Sequence, residues 1–217
     1  MNQKLMPRRA AARLIAAAAI GAVFPGSWSF AAAQSPRRLS PAEAAEIERA
    51  ETYLNGVRTL QSRFAQIADN GQVAEGTFYL SRPGRLRLEY DPPNPNLLVA
   101  NGTFLIHYDS SLKTVAHLPL GSTPAGVLVR ERISFAGDIA VTAVERGPAA
   151  LRITLVQASD VRAGRLTLIF SEHPFQLVKW QVVDGQGRVT ELALIAPQIN
   201  IALDPALFRF QDPNFPS

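Results

Sequence analysis

The chain has 217 residues, with 22 lysines and arginines, 18 acidic residues and no cysteine. That length suits one domain or two small ones, and the missing cysteine excludes disulfides, a structural thiolate metal site and a lipid-modified N-terminal cysteine. Four of the basic residues (Lys4, Arg8, Arg9 and Arg13) fall in the first 33 positions, so 22 − 4 leaves 18 basic against 18 acidic residues beyond them. A nucleic-acid binder needs a surplus of positive charge, and this balance argues against one.

The basic start is followed by an apolar run from Leu14 to Phe24 and closes on Ala31-Ala32-Ala33. This is the plan of a secretory signal peptide over residues 1–33, with cleavage after Ala33. The run is eleven residues long, short of the roughly 20 that span a bilayer. Arg8-Arg9 leaves Sec and twin-arginine export both open. Residues 34–217 are then read as one exported domain, long enough for a sizeable core and expected in the periplasm.

Ser40, Pro41 and Glu43 mark a helix start, Ile47, Ala50, Leu54 and Val57 recur near helical spacing, and Gly56 ends the helix. The period then switches to two. TLQSRFAQIA reads as a strand with Leu60 and Phe64 on one side. VAEGTFYLSR and RLRLEYD form a hairpin about Arg82-Pro83-Gly84, and Pro92, Pro93 and Pro95 end it. NLLVANGTFLIHYD places Asn101-Gly102 between two apolar runs, a tight-turn signal that also explains the NGT match to a glycosylation acceptor. LKTVAHLPL gives a sixth strand. STPAGVLVRERISF reads as a helix capped by Thr123 with Pro124 first. IAVTAVER, LRITLVQ, RLTLIFS, QLVKWQVVD and VTELALIAP bring the strands to eleven. So many short strands predict a barrel or strongly curved antiparallel sheet, with helices across its concave face.

Motifs for chemistry are missing. His107, His117 and His173 stand at no metal-ligand spacing, although His107 and Asp109 share a strand face. There is no nucleophile elbow, paired-carboxylate motif or phosphate loop; the GQG at 185–187 is a hairpin turn. The expectation is therefore a protein that is not an enzyme and takes no cofactor or metal. The strands carry Phe, Leu, Ile and Tyr on one face. Pattern alone leaves two readings of that face: an ordinary core closed by helices, or a cavity for an apolar guest.

The order of export signal, capped helix, SRFAQ, GTFYLSRPGRLRLEYDPP, LLVANGTFLIHYD, STPAGVLVR and terminal LFRFQDP resembles the LolA family, the periplasmic carriers of outer-membrane lipoproteins. The resemblance covers nearly all of residues 34–217. It implies an α+β, mostly β fold: a half-open antiparallel barrel of about eleven strands, its apolar cavity lidded by helices. The implied cargo is the acylated N-terminal cysteine of other proteins. The implied partners are an inner-membrane lipoprotein-releasing ABC transporter and an outer-membrane lipoprotein acceptor, with the carrier itself a monomer.

By the same resemblance Arg82 is the lid gate, bonded to carbonyl ends of lid helices such as the one beginning at Thr123. The cavity is lined by Phe78, Leu80, Leu86, Leu88, Tyr90, Phe104, Ile106, Val127 and Leu128, while Arg85 and Arg87 face outward. Leu86 and Leu88 are aliphatic where the family's inward positions are aromatic. Two other functions stay open: a periplasmic sensor of lipid or mislocalised lipoprotein, and a lipid ester hydrolase.

Overall fold

The computed structural model describes residues 39–213, so the signal peptide read over 1–33 lies outside them. The first helix, α1, is Pro41–Gly56. It starts with a reciprocal cap: Glu43 N donates to Ser40 Oγ at 3.2 Å and Ser40 N donates to Glu43 Oε2 at 2.8 Å. This satisfies two backbone donors that a helix start otherwise leaves free. Ile47, Ala50 and Leu54 form its buried face. Its exit is held by Asn200, whose Nδ2 donates to Gly56 O at 2.9 Å and whose Oδ1 accepts from Arg58 N at 2.8 Å.

Eleven strands follow: β1 Thr59–Ala68, β2 Val73–Ser81, β3 Arg85–Tyr90, β4 Asn96–Asn101, β5 Phe104–Asp109, β6 Thr114–Pro119, β7 Ile139–Arg146, β8 Ala150–Gln157, β9 Asp160–Glu172, β10 Phe175–Asp184 and β11 Val189–Ile199. They form one antiparallel sheet in the order β6-β5-β4-β3-β2-β1-β11-β10-β9-β8-β7. Every adjacent pair but one joins consecutive strands; β1 with β11 unites the two halves. The sheet is open, with β6 and β7 at its outer edges, and the chain from 120 to 138 passes between those edges. This is the mostly β, open antiparallel architecture expected from the alternating pattern.

Register explains the apolar face. Leu60 pairs with Leu80, Leu80 with Leu86, Leu86 with Ala100, Ala100 with Leu105 and Leu105 with Leu118, one row across six strands. In the other half Leu192, Trp180, Leu168, Ile153 and Val144 make a second row. Side chains alternate sides along a strand, so both rows face α1 and the segment that follows β6. Gly76 stands opposite both Phe64 and Tyr90. A Cβ there would lie 2.7 Å from the Phe64 ring and 2.1 Å from Glu89 O. The glycine leaves the space in which Phe64 meets Tyr90 edge to face at 5.2 Å.

The second helix, α2, is only Pro124–Leu128, capped by Thr123, whose Oγ1 accepts from Gly126 N at 3.3 Å. The longer helix expected from STPAGVLVRERISF stops there. Beyond it the backbone is recruited by α1: Ile133 N donates to Asn55 Oδ1 at 2.8 Å, Asn55 Nδ2 donates to Ile133 O at 2.9 Å, and Phe135 N donates to Glu51 Oε1. These partners replace the carbonyl four residues back that a helix would use.

The C-terminal segment crosses the outer face of β3–β5. A 3-10 turn, Pro205–Phe208, buries Phe208, and Phe210 packs on Tyr108 at 5.8 Å. Arg87 Nη1 donates to Leu207 O at 3.3 Å. Arg85 is exposed, and Arg87 faces outward too, but it holds this segment rather than standing free. Among the described residues no helix is long and apolar enough to cross a membrane.

Candidate functional site: an apolar cleft beneath a bonded lid

The concave face carries two adjoining hollows. The larger is a half-open cleft of about 830 Å³, counting the solvent space at its mouth. Phe78, Leu86, Leu88, Tyr90, Leu98 and Leu105 form one wall, Leu166, Trp180, Val182 and Leu192 the other, and Thr123 to Ala125 with Leu128 the roof. Apart from roof residue Thr123, its polar lining residues are Gln66 and Thr190. Gln66 is engaged, its Oε1 accepting from the Tyr90 hydroxyl at 2.7 Å, and burial pushes the Tyr90 pKa up to about 12. The smaller hollow, about 370 Å³, lies under α1 between Tyr53, Leu54, Val57, Leu60, Leu80 and Leu194. Phe78, Leu128 and Trp180 line both; Phe78 and Trp180 meet edge to face at 5.3 Å and stand at the boundary.

Phe78, Leu86, Leu88, Tyr90 and Leu128 line the larger hollow, and Leu80 the smaller one. Three residues sit elsewhere. Val127 lines a separate hollow on the far side of α2. Phe104 and Ile106 lie on the outer face, because Ala100 pairs with Leu105 and brings Leu105 into the cleft instead. Phe104 packs against the edge of His117 at 6.0 Å. Trp180, Leu166 and Leu192 escape the sequence reading, although their strands are legible and the same alternation, carried into the second half, marks them.

His107 and Asp109 share the concave face, yet each is bound elsewhere. His107 Nε2 meets Asn96 Oδ1 at 2.7 Å, and the Ser111 hydroxyl and backbone donors hold the Asp109 carboxyl below its usual range. Among the described residues no cluster of three His, Asp or Glu is placed to hold a metal.

Arg82 stands in the β2–β3 turn and is 7% exposed. Its Nε donates to Val57 O at 2.8 Å, and its Nη2 donates to the carbonyls of Leu54 and Val57. Leu54 O belongs to the last turn of α1, at the negative end of the helix dipole, where it also accepts from Val57 N at 3.2 Å; Val57 is the extended residue that caps the helix. The expected acceptor, the helix beginning at Thr123, is therefore replaced by α1. α2 is held by backbone from the same turn: Gly84 N donates to Val129 O at 2.7 Å. Gly84 has φ +79 and approaches Gly102, conditions that suit a residue without Cβ. Burial, and then repulsion from Arg58, pull the Arg82 pKa down to about 10. One turn thus grips both lid pieces, which Asn55 also ties to each other.

Residues 55–211, which contain the whole sheet and Arg82, match the family described as outer membrane lipoprotein carrier protein LolA. The chain belongs to the LolA family. An outer-membrane lipoprotein carrier protein of Methylococcus capsulatus is 30% identical over 195 residues, covering 86% of this chain and 89% of that protein. One from Azotobacter vinelandii is 31% identical over 186 residues, with 81% and 89% covered. A solved LolA superfamily protein from Nitrosomonas europaea shares 12% identity and covers 76% of this chain and 97% of its own, with a TM-score of 0.42. Most of α1 precedes the residues matched to the LolA family, so the acceptor carbonyls of Leu54 and Val57 fall at the N-terminal boundary of the match.

Proposed function

We propose that this chain is a periplasmic carrier that takes up the acyl chains of lipoproteins in the concave cleft and ferries them from the inner to the outer membrane. The observation that carries the reading is the apolar cleft of about 830 Å³ under a lid held by a few hydrogen bonds from one turn. The names of its relatives support the same cargo. Each buried CH₂ contributes about 0.8 kcal/mol, so a cargo with roughly 40 of them gains on the order of 30 kcal/mol gross. Net affinities saturate near about 20 kcal/mol, and a carrier must also release. Breaking the Arg82 and Gly84 bonds on opening offsets part of the gain and favours return to the closed, empty form.

The chain has no phosphate loop, so energy for loading comes from a partner: an inner-membrane lipoprotein-releasing ABC transporter on this reading. An outer-membrane lipoprotein acceptor then unloads the protein, which works as a monomer. The test is to incubate the purified protein with inner membranes holding labelled lipoprotein, with and without ATP. The expected result is ATP-dependent appearance of label in a soluble 1:1 complex. Label that stays in the membrane under both conditions contradicts it.

A further inference from the structure

α1 is joined to the sheet in two ways. Its C-terminal end runs into β1 through Val57 and Arg58 alone, so the chain itself fixes that end, beside Arg82. Its N-terminal half is seated by side chains. Glu46, Arg49 and Tyr53 follow one another at helical spacing and share one face of α1. Arg49 Nη1 reaches Glu172 Oε2, at the end of β9, at 2.9 Å, and its guanidinium lies 3.8 Å from the centre of the Phe175 ring. Arg146, at the end of β7, bonds Glu46 through Nη1 and holds Nε 3.8 Å from Glu172 Oε1. Tyr53 meets the stacked rings of Phe170 and Phe175 edge to face, at 6.0 and 5.9 Å. The Glu172 side chain is 7% exposed, and its Oε1 has no hydrogen bond among the described residues.

We infer that Glu172 is a second latch of the lid: through Arg49, and through Arg146 to Glu46, it holds the half of α1 that the chain leaves unfixed, while the end at Val57 serves as the hinge. The inference rests on the carrier reading, in which cargo displaces α1. A helix tied to a strand by two residues swings most at its far end. Arg82 therefore grips the hinge, and the travel of the far end is opposed by the ion cluster and the aromatic rings beneath Tyr53. Arg49 and Arg146 are 37% and 62% exposed, so both return to water readily when the contacts part. Lifting α1 also lets water reach Glu172. The net hold is modest and reversible, as suits a contact that cargo must undo in each cycle.

The chain has no cysteine, so pairs of introduced cysteines carry nitroxide labels at the chosen sites alone. Ala45 on α1 and Arg152 on β8 are exposed, and this pair reports the far end of α1. Gly56 with Arg152 reports the hinge; a Cβ at Gly56 meets nothing within 4 Å. Label-to-label distances are measured by pulsed electron resonance, without cargo, in the wild type and in Glu172→Gln. Glu172→Gln is expected to broaden the Ala45 distance and to leave the Gly56 distance as it was. Calorimetry with a synthetic dipalmitoyl-glyceryl-cysteinyl peptide is expected to show binding tighter by about threefold or more in the variant. A merely structural role would lower stability without raising affinity. An unchanged Ala45 distance, equal broadening at both positions, or affinity that does not rise overturns the inference. If Glu172→Gln does not fold, Arg146→Gln, at the exposed side of the cluster, is read in the same way. A peptide that no form binds overturns the carrier reading instead, and the two distances then decide the latch alone.

Discussion

Arg82 reaches 28 positions back along the chain to Leu54: its Nη2 donates to the Leu54 carbonyl at the end of α1. The same nitrogen donates to Val57 O, and Nε donates there at 2.8 Å. Three bonds from one buried cation thus tie the β2–β3 turn to the end of α1, and on the proposed reading they hold the lid closed. Replacing Arg82 with leucine removes them and leaves the Gly84–Val129 bond in place. A hydrogen bond to a charged group contributes about 1.5–3 kcal/mol, and every 1.4 kcal/mol is about a decade. Arg82→Leu is expected to fold, to bind cargo about tenfold more tightly or better, and to release it slowly. Transfer from the loaded variant to acceptor membranes, timed against the wild type, checks this.

Leu86 and Leu88 both line the cleft, and their burial separates two effects. Leu86 is 2% exposed and packs in the core, whereas Leu88 is only partly buried. A carboxylate at a fully buried site costs several kcal/mol or forces a raised pKa. Leu86→Glu is expected to lose stability by about 3 kcal/mol or more. Leu88→Glu is expected to unfold nearly as the wild type does and to lose cargo binding. Urea unfolding and lipopeptide binding on both variants test the split; loss of folding at Leu88 would mean that the face is solid core there.

Gly76 is a prediction about close approach. Any Cβ collides with Glu89 O, a backbone atom that cannot swing aside, and with the Phe64 ring. Gly76→Ala is expected to cost about 1–3 kcal/mol as an overpacked site. For a domain of this size that lowers Tm by about 2–4 °C per kcal/mol. Calorimetry on the variant reads it directly, and the Phe64–Tyr90 contact should loosen in the same sample.

Tyr90 makes a pH prediction. Burial raises its folded-state pKa to about 12, above the unfolded value of 10.0. A raised pKa means that the folded state holds the proton more tightly. This contribution is fully present below pH 10 and is lost as pH rises from 10 towards 12. Tyr90→Phe is expected to show a shallower decline in stability across that window. It also breaks the bond to Gln66, at about 1 kcal/mol near neutrality. Urea midpoints at pH 7, 10 and 11 distinguish the two effects.

How much of this was legible in the sequence depends on how local the cause is. The α1 cap is written in Ser40, Pro41 and Glu43, and all eleven strands show in their alternation and turns. On β5, Phe104, Leu105 and Ile106 are apolar in succession, so alternation alone selects neither face. The turn decides: Asn101 Oδ1 accepts from Thr103 N and Phe104 N, and this geometry sets Ala100 against Leu105. The length of α2 depended on Asn55 and Glu51, 78 and 84 positions away from their partners, which no local pattern reveals. Arg82 was found through family resemblance, but its partners on α1 required the fold. Alternation marks Trp180 and Leu192 as apolar-face residues, but that they wall the same cleft as β3 and β4 depends on β11 pairing with β1.

The central claim is that the concave face holds acyl chains. The most direct measurement is mass spectrometry of the protein captured from periplasm under mild conditions, with the bound peptides identified after digestion. The account predicts N-terminal cysteinyl peptides bearing two or three fatty acyl chains, enriched on Arg82→Leu and depleted on Leu88→Glu. A protein that carries no acylated peptide in any of the three forms would contradict it.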